Sequence, residues 1–590
     1  MEIFEKKRER QVVEEVSSEQ LWKHAAFIAQ EDRLSGSEGE TRAVQYFKET
    51  MDGYGLDVEI LEIENYISLP IRASITVLSP ATKELPCITH SFSVSTSPHA
   101  IDAEVVYVPR GRDADVKGKI VLSEGLAAPY SCWAWEEKGA VGLLWINAGE
   151  LPRNMIITTV WGQPTPETAR FIPRIAVASM NQVNGEYLKS LCQKGKVQIR
   201  LLTETWTGFK KVPLAIANIQ GKVEAEKYVL FNGHIDSWHK GASDNATANA
   251  CMLETARLIA KYKSELRRGV RFVWWSGHSH GRYSGSNWYA DYHWEDLYRN
   301  AVANLNVDSL GCRGATDYSE ADCSAELYEV GRSVLEDYTG QSPRYSRIGR
   351  SGDQSFWGIG IPALFQLLSR QAHGGDASQV LVPGLPWFWH TEADTIDKID
   401  PNILLKDTRV YMAALWRLST SPVLPLSFTD VAAEFIRYLL DIQQKAGEAF
   451  DLSSALKKAY TFQAKAGELQ KMCRKAAENY SFLGQGTSGD KLESKIHVLN
   501  RCLMKLSRTL MPVNYSAVDR FEADRAMPIP PFPRLQQAGE MEKMNRNDAS
   551  FKFLERKMVR ERNRVCYALT EAGEMIDQTL QEARVDGLAL

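Results

Sequence analysis

Between residues 212 and 420, short apolar runs of strand character alternate with helical stretches. KYVLFNGH is followed by a helix over 246–266, RFVWWSG by a helix over 286–298, and then comes AVANLNVDS. That alternation predicts an α/β domain on a mixed, largely parallel sheet. In such sheets ligands gather at the carboxyl ends of the strands. The flanking segments have a different texture. Residues 1–64 read as helices of the same domain: SSEQLWKHAAFIAQ has Ser and Glu in capping-box spacing, and GSEGETRAVQYFKETMDGYG is amphipathic and ends in Gly. Residues 65–205 hold β-rich runs such as IRASITVL, AEVVYV, GKIVLSEG and RIAVASM, with one helical piece around SCWAWEEKGA. From 425 to 590 long amphipathic segments predict a helical domain, interrupted by MPIPPFPRL. The domain between them is 206–424.

A chain of 590 residues is too long for a single core. Its 70 basic and 74 acidic residues give a net charge of −4, which makes no electrostatic case for nucleic acid or an anionic membrane. The charged start MEIFEKKRERQVVEEV has no apolar core and reads as neither a signal nor a transit peptide. No run approaches the roughly 20 apolar residues of a membrane span. Nine scattered cysteines without a CxxC pair argue against a disulfide framework and a Cys-based zinc site. A reducing compartment, the cytoplasm, is the expectation.

The strand ends carry the polar residues of interest. KYVLFNG ends in His234-Ile235-Asp236, and ten residues after His234 comes Asp244, just before a helix. The run AVANLNVDS places Asp308 at its own carboxyl end, a costly position for a carboxylate that is neither paired nor metal-bound. His390 follows the aromatic run Trp387-Phe388-Trp389, with Asp394 four residues later. RFVWWSG delivers His278 and His280, separated only by Ser279; at this spacing on an extended backbone both rings project to one side. Together these make an N/O donor set that suits zinc or a similar divalent ion, with a carboxylate able to bridge two ions.

The ordered motifs FNGHIDSWHKGASDNATANACMLETARLI, GSNWYA, ANLNVDSLG, GIGIPA and WFWHTEADTIDKID resemble those of the M28 family of metallopeptidases. The branch most resembled is that of glutamate carboxypeptidase II and the transferrin receptor. The resemblance implies a sheet of zinc-peptidase (phosphorylase/hydrolase-like) type. It makes residues 65–205 an inserted protease-associated domain and the C-terminal helices a homodimerisation domain. It makes Asp244 the carboxylate bridging two metals, His234 and Asp308 ligands of one ion, and His390 a ligand of the other, with Asp236 orienting His234. One or two Zn2+ ions, or another divalent metal, would be the cofactor. The reaction implied is hydrolysis of a peptide or amide by metal-activated water.

The chain departs from the family at WWSGHSHGRYSGS. Two adjacent glutamates, a general base and a metal ligand, belong there, yet no glutamate occurs between Glu265 and Glu295. Counting back from Gly285-Ser286 puts Ser279 at the base and His280 at the ligand position; counting forward from the tryptophans makes them His278 and Ser279. Serine is a poor zinc ligand and imidazole a good one, so His280 is taken as the ligand, and His278 as a proton shuttle or an extra ligand. Arg282 and Tyr283 are candidates for oxyanion or substrate contacts. Arg344, Arg347 and Arg350 are candidates for a substrate carboxylate, against the plainer reading of a solvated basic loop. Trp389 is a candidate pocket wall. The loop SRQAHGGDASQVLVPGLP reads as a lid, with His373 a surface residue rather than a ligand.

The leading expectation is a metal-dependent hydrolase acting on a small amide or peptide-like substrate. Two alternatives stand beside it. One is a metalloenzyme of other chemistry on this scaffold, such as a lyase, an isomerase or a cyclising acyl transferase. The other is a catalytically silent binding protein.

Overall fold

The computed structural model describes residues 6–371, 384–483 and 487–585. Parallel strands run in the order Ala363–Leu364, Ala301–Asn306, Glu224–His234 and Arg268–Trp275. The antiparallel strands Val197–Ile219 and Val58–Ser79 continue the sheet. Glu224–His234 is covered on both faces, which explains its unbroken apolar run. Val229 and Phe231 share a core with Met252 and Tyr411, while Tyr228 and Leu230 pack with Tyr289 and Leu297. Helices Ser18–Ile28 and Glu38–Gly53 begin at Ser17 and Ser37, whose side chains accept from the N–H groups of Gln20 and Glu40.

Val58–Ser79 and Val197–Ile219 pair along almost their full length, from Val58↔Ala217 to Ser79↔Gln198. This ribbon leads into the inserted segment. There Ile101–Tyr107, Ile120–Glu124, Gly142–Ile146 and Ala176–Met180 form a second run of parallel strands. Helices Pro129–Glu137 and Gln182–Lys194 accompany them. The insert is therefore itself α/β, with separate apolar clusters. The second helix departs from the β-rich expectation; Asn181 caps it by accepting from Asn184 N–H.

The C-terminal segment is helical, as expected: Phe428–Ala446, Ser453–Leu483, Thr487–Tyr515 and Ala549–Val585. All nine cysteines are free. Among the described residues no helix is long and apolar enough to cross a membrane. His373 and most of the expected lid, 372–383, lie outside the described residues.

Candidate metal centre

Three of the parallel strands hand a polar residue to the same edge. His234 ends Glu224–His234, the turn His278–Gly281 follows Arg268–Trp275, and Asp308 lies two residues beyond Ala301–Asn306. Asp244 sits in the irregular turn Ala242–Ala246, ahead of helix Thr247–Lys261. Gly241 permits that turn: its φ is +50°, and a Cβ there would lie 2.2 Å from the Asp244 carbonyl oxygen. His390 arrives on a loop with a φ of +61°.

Asp244 lies between two imidazoles. Its Oδ1 is 3.0 Å from His234 Nε2 and its Oδ2 is 3.0 Å from His390 Nε2. Asp308 Oδ2 is 3.7 Å from His234 Nε2. His234 Nε2 and Asp244 Oδ1 are buried and close, yet neither makes a hydrogen bond. Two donor atoms in that relation are aimed at a third point rather than at each other.

The other ring nitrogens explain why. His234 Nδ1 donates to the Asp236 carbonyl oxygen (2.8 Å) and His390 Nδ1 to the Asn154 carbonyl oxygen (2.7 Å). His278 Nδ1 donates to Asp353 Oδ2 (3.0 Å). Ser35 Oγ gives its proton to Asp236 Oδ2 (2.9 Å) and lies 2.9 Å from His280 Nδ1, toward which the Ser35 backbone N–H also points (3.4 Å). His234, His278 and His390 thus spend the Nδ1 proton on an acceptor and leave Nε2 for another partner, the arrangement of metal-ligating histidines. His280 Nε2 is buried without a partner, and burial pushes the pKa of this ring down, which keeps it neutral. Burial also opposes a charged His234, but the adjacent carboxylates of Asp244 and Asp308 outweigh it and raise its pKa well above the usual value. The pocket favours a cation at His234 Nε2, a place for which a proton and a metal ion compete. The residues present therefore fit a divalent metal.

Asp236, expected to orient His234, meets its Nδ1 through the main-chain carbonyl oxygen, and its carboxylate oxygen is 3.8 Å from Nδ1. The carboxylate instead holds the His-Ser-His turn, accepting from the N–H groups of His278 (3.2 Å) and Ser279 (2.8 Å). Burial would raise its pKa, but the nearby imidazoles of His280, His234 and His278 hold it well below the usual range. Asp394 accepts from Ser243 N–H (2.9 Å), Ser243 Oγ (2.9 Å) and Asp244 N–H (3.2 Å), clamping the turn that presents Asp244. Burial pushes the Asp394 pKa up to about 7.

The remaining candidates divide. Among the described residues, the group whose ligand atoms all lie within 4.8 Å of one another is His234, His278 and Asp308. His280 stands apart from that group, with its ring 4.5 Å from Trp238. Arg282 and Tyr283 follow the turn, both at positive φ. The Tyr283 ring meets His278 edge-on at 4.7 Å, and Arg282 Nε is buried without a hydrogen bond. Trp389 stacks on His390 at 3.4 Å. Arg350 is buried, donates to the carbonyls of Gln354 and Asp524, and lies 3.6 Å from the Trp161 ring. Arg347 donates to the Asn514 carbonyl and lies 3.4 Å from the Tyr515 ring. Arg344 is exposed. These arginines are committed to the C-terminal segment or to solvent, so we do not carry them into the site.

Sequence reasoning passed over Asn154, Asp353 and Arg33. Asn154 belongs to the insert and reaches the site through its backbone, which carries no residue-type signal. Asp353 follows the arginine-bearing loop RYSRIGRSG with no pattern of its own to mark it.

Residues 215–415 match the family model of Peptidase family M28. Carboxypeptidase Q of Bos taurus is 27% identical over 277 residues, which cover 44% of this chain and 57% of that protein. The chain thus spans little more than half the length of that relative. Among solved structures, the Peptidase M28 precursor of Shewanella amazonensis SB2B superposes with a TM-score of 0.57 at 20% identity, covering 71% of this chain and 97% of that one. BSAP, a zinc aminopeptidase from Bacillus subtilis, gives 0.50 at 20% identity, covering 68% and 95%. The segment that is similar to peptidase family M28, 215–415, is the one that carries every candidate ligand.

Proposed function

We propose that the chain is a zinc-dependent hydrolase that cleaves an amide or peptide-like bond of a small substrate. The observation that carries this reading is the set of three imidazoles, those of His234, His278 and His390, each with Nδ1 spent on an acceptor, beside a carboxylate that lies between two of them. Nitrogen and oxygen donors of this kind suit zinc better than magnesium or calcium. A zinc ion in such a site polarises a carbonyl and makes water acidic near neutral pH. His234, Asp244, Asp308, His280 and His390 are the residues that would hold one or two ions.

The chain's own groups do the rest. Asp244 fixes the spacing of the two imidazoles it separates, and Asp236 and Asp394 hold the turns on either side. Arg282, whose Nε lacks a partner, is the group best placed to meet a substrate carboxylate or a developing oxyanion, with Tyr283 beside it. Trp238 and Trp389 flank His390 and exclude water on that side. We read residues 65–205 as a protease-associated insertion, supported by the Asn154–His390 contact. We read 425–590 as the homodimerisation region; it leaves Tyr460, Phe553 and Tyr567 exposed.

One observation favours a second reading, that of a lyase, isomerase or cyclising acyl transferase. The two positions at which the family carries glutamates hold histidine and serine in either register, so no carboxylate base stands where peptide hydrolysis uses one.

The test is turnover of aminoacyl anilides, dipeptides and N-acyl amino acids by chelator-stripped and zinc-reloaded protein. Hydrolysis of at least one class should vanish on stripping and return with zinc. Zinc-loaded protein that leaves the whole panel intact would remove the hydrolase reading.

A further inference from the structure

The least explained group near the centre is Asp353. Its carboxylate is fully buried and, among the described residues, its sole hydrogen-bond partner is His278; Oδ1 has none. A buried carboxylate with one partner and no cation is costly. It is tolerated where it fixes something whose position matters, and here that is one imidazole. His278 is held on three sides: Asp353 takes Nδ1–H, the His234 ring stacks on it with centroids 3.7 Å apart and planes 14° apart, and Tyr283 meets it edge-on at 4.7 Å. Its backbone N–H is tied to Asp236. So restrained, the ring presents a single free atom, the Nε2 lone pair, beside those of His234 and Asp308.

We propose that His278 is itself a metal ligand, completing with His234 and Asp308 a position that Asp244 also faces, and that Asp353 is its positioning residue. The proposal rests on the metal-centre reading above. A zinc–nitrogen bond of about 2.0–2.1 Å puts two imidazole nitrogens on one tetrahedral ion about 3.3 Å apart. The ligand atoms of His234, His278 and Asp308 already lie within 4.8 Å of one another, so an ion needs shifts of no more than about 1.5 Å to draw them in. The His-Ser-His turn then supplies imidazole to both sides of Asp244, His278 to the His234 side and His280 to the His390 side. A position holding two imidazoles favours zinc and the later transition metals over magnesium and manganese.

The test uses the full chain, stripped with a chelator. It is titrated with Zn2+ against a chromophoric chelator and with Co2+ followed by visible absorption; the unfolding temperature of each metal-free protein is the folding control. His278→Ala should weaken zinc binding at one position by more than about 100-fold. Asp353→Asn, which acts only through His278, should weaken it about 10- to 100-fold, the usual cost of losing an outer partner. The cobalt bands of that position should fade in both variants. His278→Gln serves if the alanine variant does not fold. Folded variants that bind zinc as tightly as the parent, with an unchanged cobalt spectrum, would overturn the proposal while leaving the metal centre standing. A parent chain that binds neither ion would overturn both.

Discussion

Asp244→Ala should strip the protein of metal at both positions at once and reduce hydrolysis to background. Its carboxylate lies between two imidazoles on different loops: Oδ1 is 3.0 Å from His234 Nε2 and Oδ2 is 3.0 Å from His390 Nε2. Loss of an outer partner alone costs about 10- to 100-fold in affinity, so loss of a shared inner ligand should exceed about 100-fold at each position. Metal content after dialysis against a weak chelator, measured by elemental analysis, reads this directly. The variant should retain neither ion, whereas His390→Ala should lose one and keep the other on the His234 side. An Asp244→Ala protein with parental metal content would show that the carboxylate between the imidazoles is no ligand.

The second large effect is expected at Arg33, far from any reacting atom. This residue is fully buried and donates to five backbone carbonyls, those of Ile28 (2.7 Å), Glu31 (3.2 Å), Ile235 (3.0 Å), Lys240 (2.8 Å) and Gly241 (3.1 Å). It thereby ties the end of helix Ser18–Ile28 to the loop between His234 and Asp244. Burial lowers its pKa to about 10, against the fields of Asp394, Asp236 and Asp244, so it stays cationic at neutral pH. Truncation orphans several buried carbonyls at about 1–3 kcal/mol each, so Arg33→Met should lose on the order of 4 kcal/mol or more. Lysine cannot reproduce the fork and should recover little. The chain has more than one core, so the denaturation midpoint of the metal-dependent transition is the quantity to compare, not a global free energy. Zinc affinity should fall with it, because the loop carries Asp236 and leads to Asp244. Parental midpoint and affinity in Arg33→Met would refute the role.

The parts legible in the sequence were those encoded locally. A buried parallel strand reads as an apolar run, and a histidine or aspartate where that run stops is conspicuous, which is how His234, Asp308 and the His-Ser-His turn stood out. The partners that give these residues their geometry come from far along the chain. Asp353 lies 75 residues from His278 and Asn154 lies 236 from His390. Asn154 acts through a carbonyl oxygen, which every residue possesses. The arginines erred the other way: three cations in a Gly-Ser loop look like a carboxylate trap. Yet Arg347 and Arg350 find their partners in Asn514, Tyr515 and Asp524, which no local pattern links to them. The helix Gln182–Lys194 was obscured because Val, Asn and Gly, all poor helix formers, follow the first residue of QVNGEYLKSLCQK.

The central claim is that the ends of these strands hold metal through imidazole nitrogens gathered around Asp244. Anomalous diffraction at the zinc absorption edge, from crystals grown with zinc, tests it most directly. The account predicts a peak flanked by His234, Asp308, Asp244 and His278; a second ion, where one binds, would lie beside His390 and His280. Zinc-soaked crystals with no anomalous peak among these side chains would contradict it.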